Sequence, residues 1–270
     1  MADAPDLIAL KQRMKSTWMA GDFGQIARLN EKAGQEFIGR LFLRPGMKVL
    51  DVACGTGNQS VPAARTGAEV TGLDIAPNLL EQARDRGRKE NLNITFVEGD
   101  AEDIPYDTGQ FDVVLSMFGA MFAPRPERVV SEFLRVCRPD GMIAMGNWTA
   151  SGFVGKQFAV SSRHVPLPPG IVPPVLWGDE SVVAERFGNR AQLQMTRREF
   201  RFDFPYGPEK VVELFKTYFG PTKTAFERLD PAKQKAFQDD LLNLWKENNE
   251  ATDGRTVIRG EYLEVHARPN

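Results

Sequence analysis

The chain has 270 residues, of which 42% are hydrophobic and 26% are charged, and its formal net charge is −2. This composition is typical of a globular protein that folds without disulfides, and the weak negative charge gives no general attraction to nucleic acid. No apolar run approaches the roughly 20 residues that span a membrane, the start of the chain lacks the features of a secretory signal, and two cysteines are too few for a disulfide framework. We therefore expect a cytoplasmic protein with no membrane and no nucleic-acid partner.

Helical spacing of apolar residues marks the first 40 residues. Leu10, Met14 and Trp18 recur at the intervals of one helix face, and a second such series follows a break at Gly21, Asp22 and Gly24. The pattern predicts two helices between residues 7 and 39, which would form an N-terminal helical cap over residues 1–40.

The region from Met47 to Trp148 alternates short apolar runs with helical patterns, as βαβ units do. Helices are predicted over Pro77–Asn91 and Pro126–Arg138, each with proline in its first turn, and Pro139, Asp140 and Gly141 are expected to form a turn. The predicted strands are Met47–Ala53, Glu69–Asp74, Asn93–Glu98, Phe111–Met117 and Met142–Trp148.

The pattern changes after the core. Residues 151–174 are rich in proline, glycine and aromatic residues, and Gln192–Phe204 then alternates like a strand. Helical periodicity returns over Pro208–Asn249, and a final strand is predicted over Thr256–Ala267. The chain would thus divide into the cap (1–40), a core (41–150) and a third region (151–270) with a helical insertion at about 205–250.

A glycine-containing turn follows the first predicted strand, where the chain reads Asp-Val-Ala-Cys-Gly-Thr-Gly from Asp51 to Gly57. Glycines between a strand and a helix permit close approach of the backbone to a ligand, beside free N–H groups. The third glycine of a dinucleotide fingerprint is replaced by Ser60, which counts against a nicotinamide cofactor, and no P-loop motif is present.

An acidic residue, Asp74, ends the second predicted strand, where a carboxylate can bind ribose hydroxyls. Three further motifs follow in order, over residues 98–106, 110–117 and 134–142.

Together these motifs, between Leu41 and Trp148, resemble the class I S-adenosylmethionine-dependent methyltransferases, in particular the bacterial group similar to the ubiquinone/menaquinone C-methyltransferases. The resemblance implies a Rossmann-like α/β fold: a seven-stranded, mostly parallel sheet with flanking helices, an antiparallel last strand, the helical cap and an inserted helical lid. It also implies that residues 41–150 bind S-adenosylmethionine and that the region 151–270 builds the acceptor site. The chain departs from the family pattern at Ala53, because the family has the first glycine of its motif at this position. The residues that the resemblance assigns to S-adenosylmethionine are Ala53, Gly55 and Gly57 for the methionine part, Asp74 for ribose, Ile75, Asp100 and Ala101 for adenine, and Ser116 with Met117 beside the methyl donor.

The implied reaction is direct in-line transfer of a methyl group from S-adenosylmethionine to an O, N or C atom of a small organic acceptor. Two alternatives stay open: an NAD(P)-dependent oxidoreductase and a non-catalytic S-adenosylmethionine-binding protein. His164 is a weak candidate for a general base, with a solvent-facing or merely hydrogen-bonded histidine as the favoured alternative. No metal site is expected. Arg28 is considered as a partner for the cofactor's carboxylate, and Phe118, Phe122, Trp148 and Trp177 as walls of an apolar acceptor pocket.

Overall fold

A computed structural model of the chain describes residues 6–168 and 171–270. The first five residues of the predicted cap, and residues 169–170 of the proline-rich stretch, lie outside the described part. The described residues build one seven-stranded sheet. Its strands are β1 (Lys48–Val52), β2 (Glu69–Asp74), β3 (Ile94–Glu98), β4 (Phe111–Met117), β5 (Cys137–Trp148), β6 (Ala191–Phe204) and β7 (Thr256–Pro269).

The strand order is β3-β2-β1-β4-β5-β7-β6. Strands β1 to β5 run parallel, whereas β7 pairs antiparallel with both β5 and β6. The chain winds from β1 through β2 to β3 on one side and returns to β4 on the other, so the strand order reverses between β1 and β4. In open α/β sheets the crevice at the carboxyl ends of the strands beside such a reversal is where ligands bind. The predicted mostly parallel sheet with an antiparallel last strand is confirmed.

Helices cover both faces of this sheet. Several begin where the sequence supplies a start signal: Pro77 and Pro126 occupy first-turn positions, and Asp6, Asp179 and Asp230 accept hydrogen bonds from N–H groups of the helices that follow them. None of the helices in the described part combines the length and apolar character needed to cross a membrane. The helices are α1 (Leu7–Met19), α2 (Phe23–Ala27), α3 (Glu31–Gly39), α4 (Ser60–Arg65), α5 (Pro77–Lys89), α6 (Pro126–Val136), α7 (Phe153–His164), α8 (Glu180–Phe187), α9 (Pro208–Tyr218), α10 (Gly220–Glu227) and α11 (Pro231–Glu247).

The described part of the cap contains three α-helices where two helices were predicted. Gly21 does separate α1 from α2, but Gly24 lies inside α2. A Cβ atom at Gly24 would stand 2.0 Å from Oε1 of Gln82 on α5, and one at Gly21 would stand 2.1 Å from the carbonyl oxygen of Tyr218. These glycines therefore allow the cap to pack closely against its neighbours. In the sequence alone, a glycine needed for close packing looks the same as a glycine that ends a helix.

The turn predicted at Pro139, Asp140 and Gly141 lies within β5. The pairing of β4 with β5 steps from Phe111–Cys137 to Val113–Met142, so β5 carries three extra residues at this point. A bulge of this kind accommodates a proline, which has no N–H for the ladder. The stretch over residues 151–188, for which no helix was predicted, contributes α7 and α8.

The predicted insertion between β6 and β7 is present as α9, α10 and α11. It packs on the cap: the ring of Phe219 lies 5.9 Å from that of Trp18 and 6.2 Å from that of Phe23, measured between centroids. The insertion therefore supports the cap from outside.

Candidate functional site

The turn after β1 adopts a backbone that favours glycine. Gly55 and Gly57 have φ angles of +53° and +81°, and Ala53 has a φ of +55°. An alanine in this left-handed region costs about 1–2 kcal/mol relative to its ordinary conformation, which explains why a glycine suits this position. Strain of this kind persists where the surrounding structure holds the backbone in place, as is common at ligand sites.

Asp74 at the end of β2 is bound to this turn. Its Oδ2 accepts a hydrogen bond from the backbone N–H of Gly55 at 2.8 Å, and its Oδ1 accepts one from the N–H of Ala76 at 2.8 Å. The residue is only 7% exposed, and burial raises the pKa of its carboxyl although the backbone N–H groups favour the ionised form. The carboxylate is thus held in one orientation at the strand end.

Asp100 follows β3 at the same edge of the sheet. Its Oδ1 accepts a hydrogen bond from the N–H of Glu102 at 2.9 Å, and its Oδ2 lies 2.5 Å from Nζ of Lys11 on α1. The neighbouring Ala101 is buried. The carboxyl ends of β2 and β3 therefore present two fixed carboxylates side by side.

A cavity of about 620 Å³ opens at these strand ends, within the range of small-molecule sites. Seven of the nine residues that the resemblance assigns to the cofactor line this cavity; these are Ala53, Gly55, Asp74, Ile75, Asp100, Ala101 and Met117. Its opposite wall is one face of α1, and the end of β4 contributes Met117 and Phe118.

The two other predicted cofactor residues do not line this cavity. A Cβ at Gly57 would meet Ala83 and Phe96 at 3.4 and 3.5 Å, so Gly57 faces the hydrophobic core. Ser116 is 1% exposed, and its Oγ accepts a hydrogen bond from the N–H of Ala120 at 2.9 Å. Both residues shape the loops around the cavity from behind.

Of the four predicted acceptor-pocket residues, Phe118 and Phe122 line the cavity, and Trp148 and Trp177 do not. Trp148 stacks on the far side of Phe118 with a centroid distance of 3.7 Å. Trp177 is 1% exposed, and the guanidinium of Arg186 lies 4.4 Å from its ring centroid. Both tryptophans are therefore packing residues, because their rings are covered on both faces or enclosed by the core.

His164 stands at the end of α7, away from the cavity. Its Nε2 lies 2.8 Å from Oδ2 of Asp240 on α11, and its ring packs against Phe237. This is the hydrogen-bonded arrangement that was the alternative to a general base. Arg28 is exposed and likewise does not line the cavity, whereas Asn30, two residues later, does.

Comparison with known proteins identifies the family. A family model for a methyltransferase domain matches residues 50–145. The uncharacterized protein Rv1403c of Mycobacterium tuberculosis is 36% identical over 259 residues, which cover 94% of this chain and 93% of that protein. The demethylmenaquinone methyltransferase of Renibacterium salmoninarum is 35% identical over 109 residues, 40% of this chain and 44% of that enzyme. The chain belongs to the class I S-adenosylmethionine-dependent methyltransferases.

Solved structures show how far the fold of this methyltransferase is shared. The YcgJ protein of Bacillus subtilis superposes with a TM-score of 0.62 at 16% identity, and the match covers 88% of this chain and 99% of the YcgJ chain. An S-adenosylmethionine-dependent methyltransferase of Thermotoga maritima has a TM-score of 0.54 at 14% identity, with 92% and 93% covered. Family membership counts against the alternative of a nicotinamide-dependent oxidoreductase and implies that S-adenosylmethionine is the methyl donor.

Part of the wall of the methyltransferase's cavity is aromatic. Trp18 of α1 contacts Phe122 and Phe23 edge to face, at centroid distances of 5.1 and 5.7 Å. All three rings line the cavity and are partly exposed to it. The described lining residues lie between residues 8 and 124, so the region 151–270, predicted to build the acceptor site, contributes no described lining residue to this cavity.

The cover of the cavity is α1, and the inserted helices predicted to form a lid contribute no lining residue in the described part. Two residues on this face of α1, Lys11 and Lys15, were not singled out from the sequence. They stand one helical turn apart and form ion pairs with Asp100 and with Glu98 of β3. Their only sequence signal is the spacing i, i+4, which also describes an ordinary solvent-exposed helix face.

Proposed function

We propose that this methyltransferase binds S-adenosylmethionine along the carboxyl ends of β1, β2 and β3 and transfers its methyl group to a small apolar molecule held between Trp18, Phe23 and Phe122. The observation that carries the proposal is one cavity whose described lining includes both the carboxylates of Asp74 and Asp100 and the aromatic rings of Trp18, Phe23 and Phe122. The turns after β1 and β4, which both contribute to this lining, lie close together: a Cβ at Gly119 would lie 2.6 Å from that of Ala53.

The residues around the two carboxylates suit the donor chemically. Asp74 is positioned to accept hydrogen bonds from ribose hydroxyls, and Asp100 from the exocyclic amine of adenine, while Ile75 and Leu79 offer an apolar surface for the base. The same wall contains polar atoms with no partner of their own, Oγ1 of Thr56 and Oδ1 of Asn30. Buried polar atoms without a partner are uncommon and favour a site that receives a polar ligand.

The chemistry requires little from the protein. When bound, S-adenosylmethionine would supply a methyl group activated by its sulfonium. Transfer would form a bond between this methyl carbon and an electron pair of the acceptor, break the carbon–sulfur bond and release S-adenosylhomocysteine, and a proton lost by the acceptor would pass to water. The cavity contributes alignment of donor and acceptor and exclusion of water, both of which accelerate such a transfer. Aromatic walls and α1 provide the exclusion, and the turn after β1 provides the alignment.

The weak negative charge of the chain and its two buried, unbridged cysteines support the remaining parts of the proposal. They favour a small-molecule acceptor over nucleic acid, and a reducing compartment such as the cytoplasm. The atom methylated, O, N or C, is left open in this proposal.

The experiment is a pair of calorimetric titrations, with S-adenosylhomocysteine and with NADH, followed by incubation with labelled S-adenosylmethionine and a panel of apolar aromatic phenols, thiols and amines. Binding of S-adenosylhomocysteine alone, with labelled product from the panel, is the expected result. Binding without any labelled product would instead favour the non-catalytic alternative, and the absence of S-adenosylhomocysteine binding would overturn the proposal.

A further inference from the structure

Lys11 of α1 reaches across the cavity to the acidic segment after β3. Its Nζ lies 2.5 Å from Oδ2 of Asp100 and 2.6 Å from Oε2 of Glu102. The side chain is 26% exposed, so most of it is withdrawn from water. One ammonium group therefore bridges two carboxylates that are neighbours in the sequence but differ in their surroundings.

The bridge is anchored on its Glu102 side. The side chain of Glu102 is fully buried, and its carboxylate also accepts hydrogen bonds from the backbone N–H of Arg125 at 2.6 Å and from Nε of Arg125 at 2.8 Å. Charges alternate along the row Arg125, Glu102, Lys11 and Asp100, so no carboxylate in it lacks a cation. Charge-assisted hydrogen bonds in such a network are stronger than those of exposed pairs.

Asp100 is the outermost member of the row and faces the cavity. Its side chain is 32% exposed, so burial alone does not hold it in one rotamer. Oδ1 is fixed by the N–H of Glu102 and Oδ2 by Lys11, and each oxygen keeps a second lone pair for a ligand. Removal of Lys11 would leave the Oδ2 side of this carboxylate without its described partner.

We propose that Lys11 is a positioning residue, which holds the Asp100 carboxylate in the orientation that accepts the exocyclic amine of adenine. This inference rests on the proposed function, because it concerns how the same site recognises its donor. Lys11 acts through Asp100, and α1 thereby adds to donor recognition a residue that lies outside the matched methyltransferase domain.

Lys15 provides a comparison on the same helix face. It pairs with Glu98, whose side chain is 52% exposed, and it touches neither Asp100 nor Glu102 in the described structure. Its loss would weaken the docking of α1 without altering the Asp100 carboxylate. The two lysines thus separate a general effect of helix docking from a specific effect on adenine recognition.

The test compares two ligands by calorimetry: S-adenosylhomocysteine and S-inosylhomocysteine, in which a carbonyl oxygen replaces the exocyclic amine. The wild-type protein is expected to prefer the adenine ligand by about 10- to 100-fold, as a charge-assisted hydrogen bond would give. Lys11→Met should reduce this preference about tenfold, and Lys11→Arg, which retains the charge, should restore most of it. Lys15→Met should change both affinities by the same factor, and Lys32→Met, at an exposed position on α3, should change neither.

Asp100→Asn is the positive control, because it should abolish the preference for adenine by itself. An unchanged preference in Lys11→Met, or in Asp100→Asn, would overturn the inference. In either case, retained binding of S-adenosylhomocysteine by the wild-type protein would leave the proposed function standing. Thermal unfolding of each variant shows whether a lost preference for adenine results from a lost fold. The inference is supported if Lys11→Met loses the preference but unfolds at the same temperature as Lys15→Met. It is overturned if Lys15→Met loses the preference to the same extent as Lys11→Met.

Discussion

The carboxylate of Asp74 accepts a hydrogen bond from the backbone N–H of Gly55 at 2.8 Å, across 19 residues of sequence. This bond ties the end of β2 to the turn after β1 and places an acid that would bind ribose beside the turn that would receive the methionine part. Donor binding and the local backbone therefore depend on the same side chain.

Asp74→Ala should lower the affinity for S-adenosylhomocysteine about 10- to 100-fold, because a hydrogen bond to a charged group contributes about 1.5–3 kcal/mol. Calorimetry measures the affinity, and Asp74→Asn, which keeps one acceptor oxygen, should lose less. Glu69→Ala, at the exposed start of β2, is the matched control and should bind as the wild type does. Equal affinities in the wild type and Asp74→Ala would contradict the assignment of Asp74 to the donor.

Asp51 of β1 should make stability depend on pH. Its carboxyl is fully buried, which raises its pKa from 3.8 to about 7 although Ser60 donates a hydrogen bond to it at 2.6 Å. Because the folded-state pKa is raised, the stabilisation is complete below about pH 4 and is lost as the pH rises through about 7. The wild type should therefore lose about 4 kcal/mol relative to Asp51→Asn across that interval.

Urea unfolding of both proteins at a series of pH values measures this difference. Asp107→Asn, at an exposed position, should follow the wild type throughout. A constant difference between the wild type and Asp51→Asn from pH 4 to pH 8 would show that Asp51 is ionised in the folded protein.

Glu264 of β7 should give the opposite dependence. Burial by itself would raise the pKa of its carboxyl, but His266 at 3.4 Å and the guanidinium groups of Arg40 and Arg198, at 2.5 and 2.9 Å, outweigh burial and lower the pKa to about 2. Its contribution is present above the ordinary pKa of 4.5 and is lost as the pH falls toward 2. Glu264→Gln should therefore cost about 3 kcal/mol at neutral pH and progressively less in acid.

Denaturant unfolding at pH 7 and at about pH 3 tests this expectation. Glu250→Gln, which alters an exposed pair with Arg259, should cost less than about 1 kcal/mol at either pH. A cost for Glu264→Gln that does not shrink in acid would mean that the carboxylate's pairing with Arg40 and Arg198 is not what stabilises the strand.

Substitutions of Phe122 and Trp177 should have different effects, the first on ligand binding and the second on the free energy of unfolding. Phe122→Ala removes a ring from the cavity wall and should weaken binding of an aromatic probe such as 2-naphthol to the protein saturated with S-adenosylhomocysteine. Trp177→Ala should leave probe binding intact but lower the free energy of unfolding by about 3–5 kcal/mol, because the ring is buried in the core. Fluorescence titration and urea unfolding measure the two effects. Weaker probe binding in a folded Trp177→Ala protein, or unaltered binding in Phe122→Ala, would contradict this division.

Local pattern in the sequence was sufficient for the strands of the sheet, and the family resemblance that its motifs carry assigned the residues of the proposed donor site. Strands β2 and β4 have the predicted bounds, and Gly55, Asp74 and Asp100 stand at strand ends because a residue that follows a buried run in a parallel sheet must lie at its carboxyl edge. The positive φ of Ala53 agrees with the glycine that the family pattern has there.

Only the tertiary structure decided which aromatic residues meet the cavity. In the sequence, Trp148, Trp177 and Phe122 are all aromatic residues near the expected donor site, and nothing local distinguishes them. Which of their side chains points into the cavity depends on how the helices and strands pack. The same holds for His164, whose partner Asp240 is 76 residues away, and for the insertion, which supports the cap while α1 covers the cavity.

The sequence by itself determined the strands of the sheet through periodicity, and its short motifs carried the family resemblance that implies the strand arrangement and the position of the proposed donor site. The tertiary structure decided what covers the cavity and which aromatic residues line it. Lys11 pairs with Asp100 across 89 residues, and Trp18 meets Phe122 across more than 100, so these contacts exist only after the helices pack against the sheet.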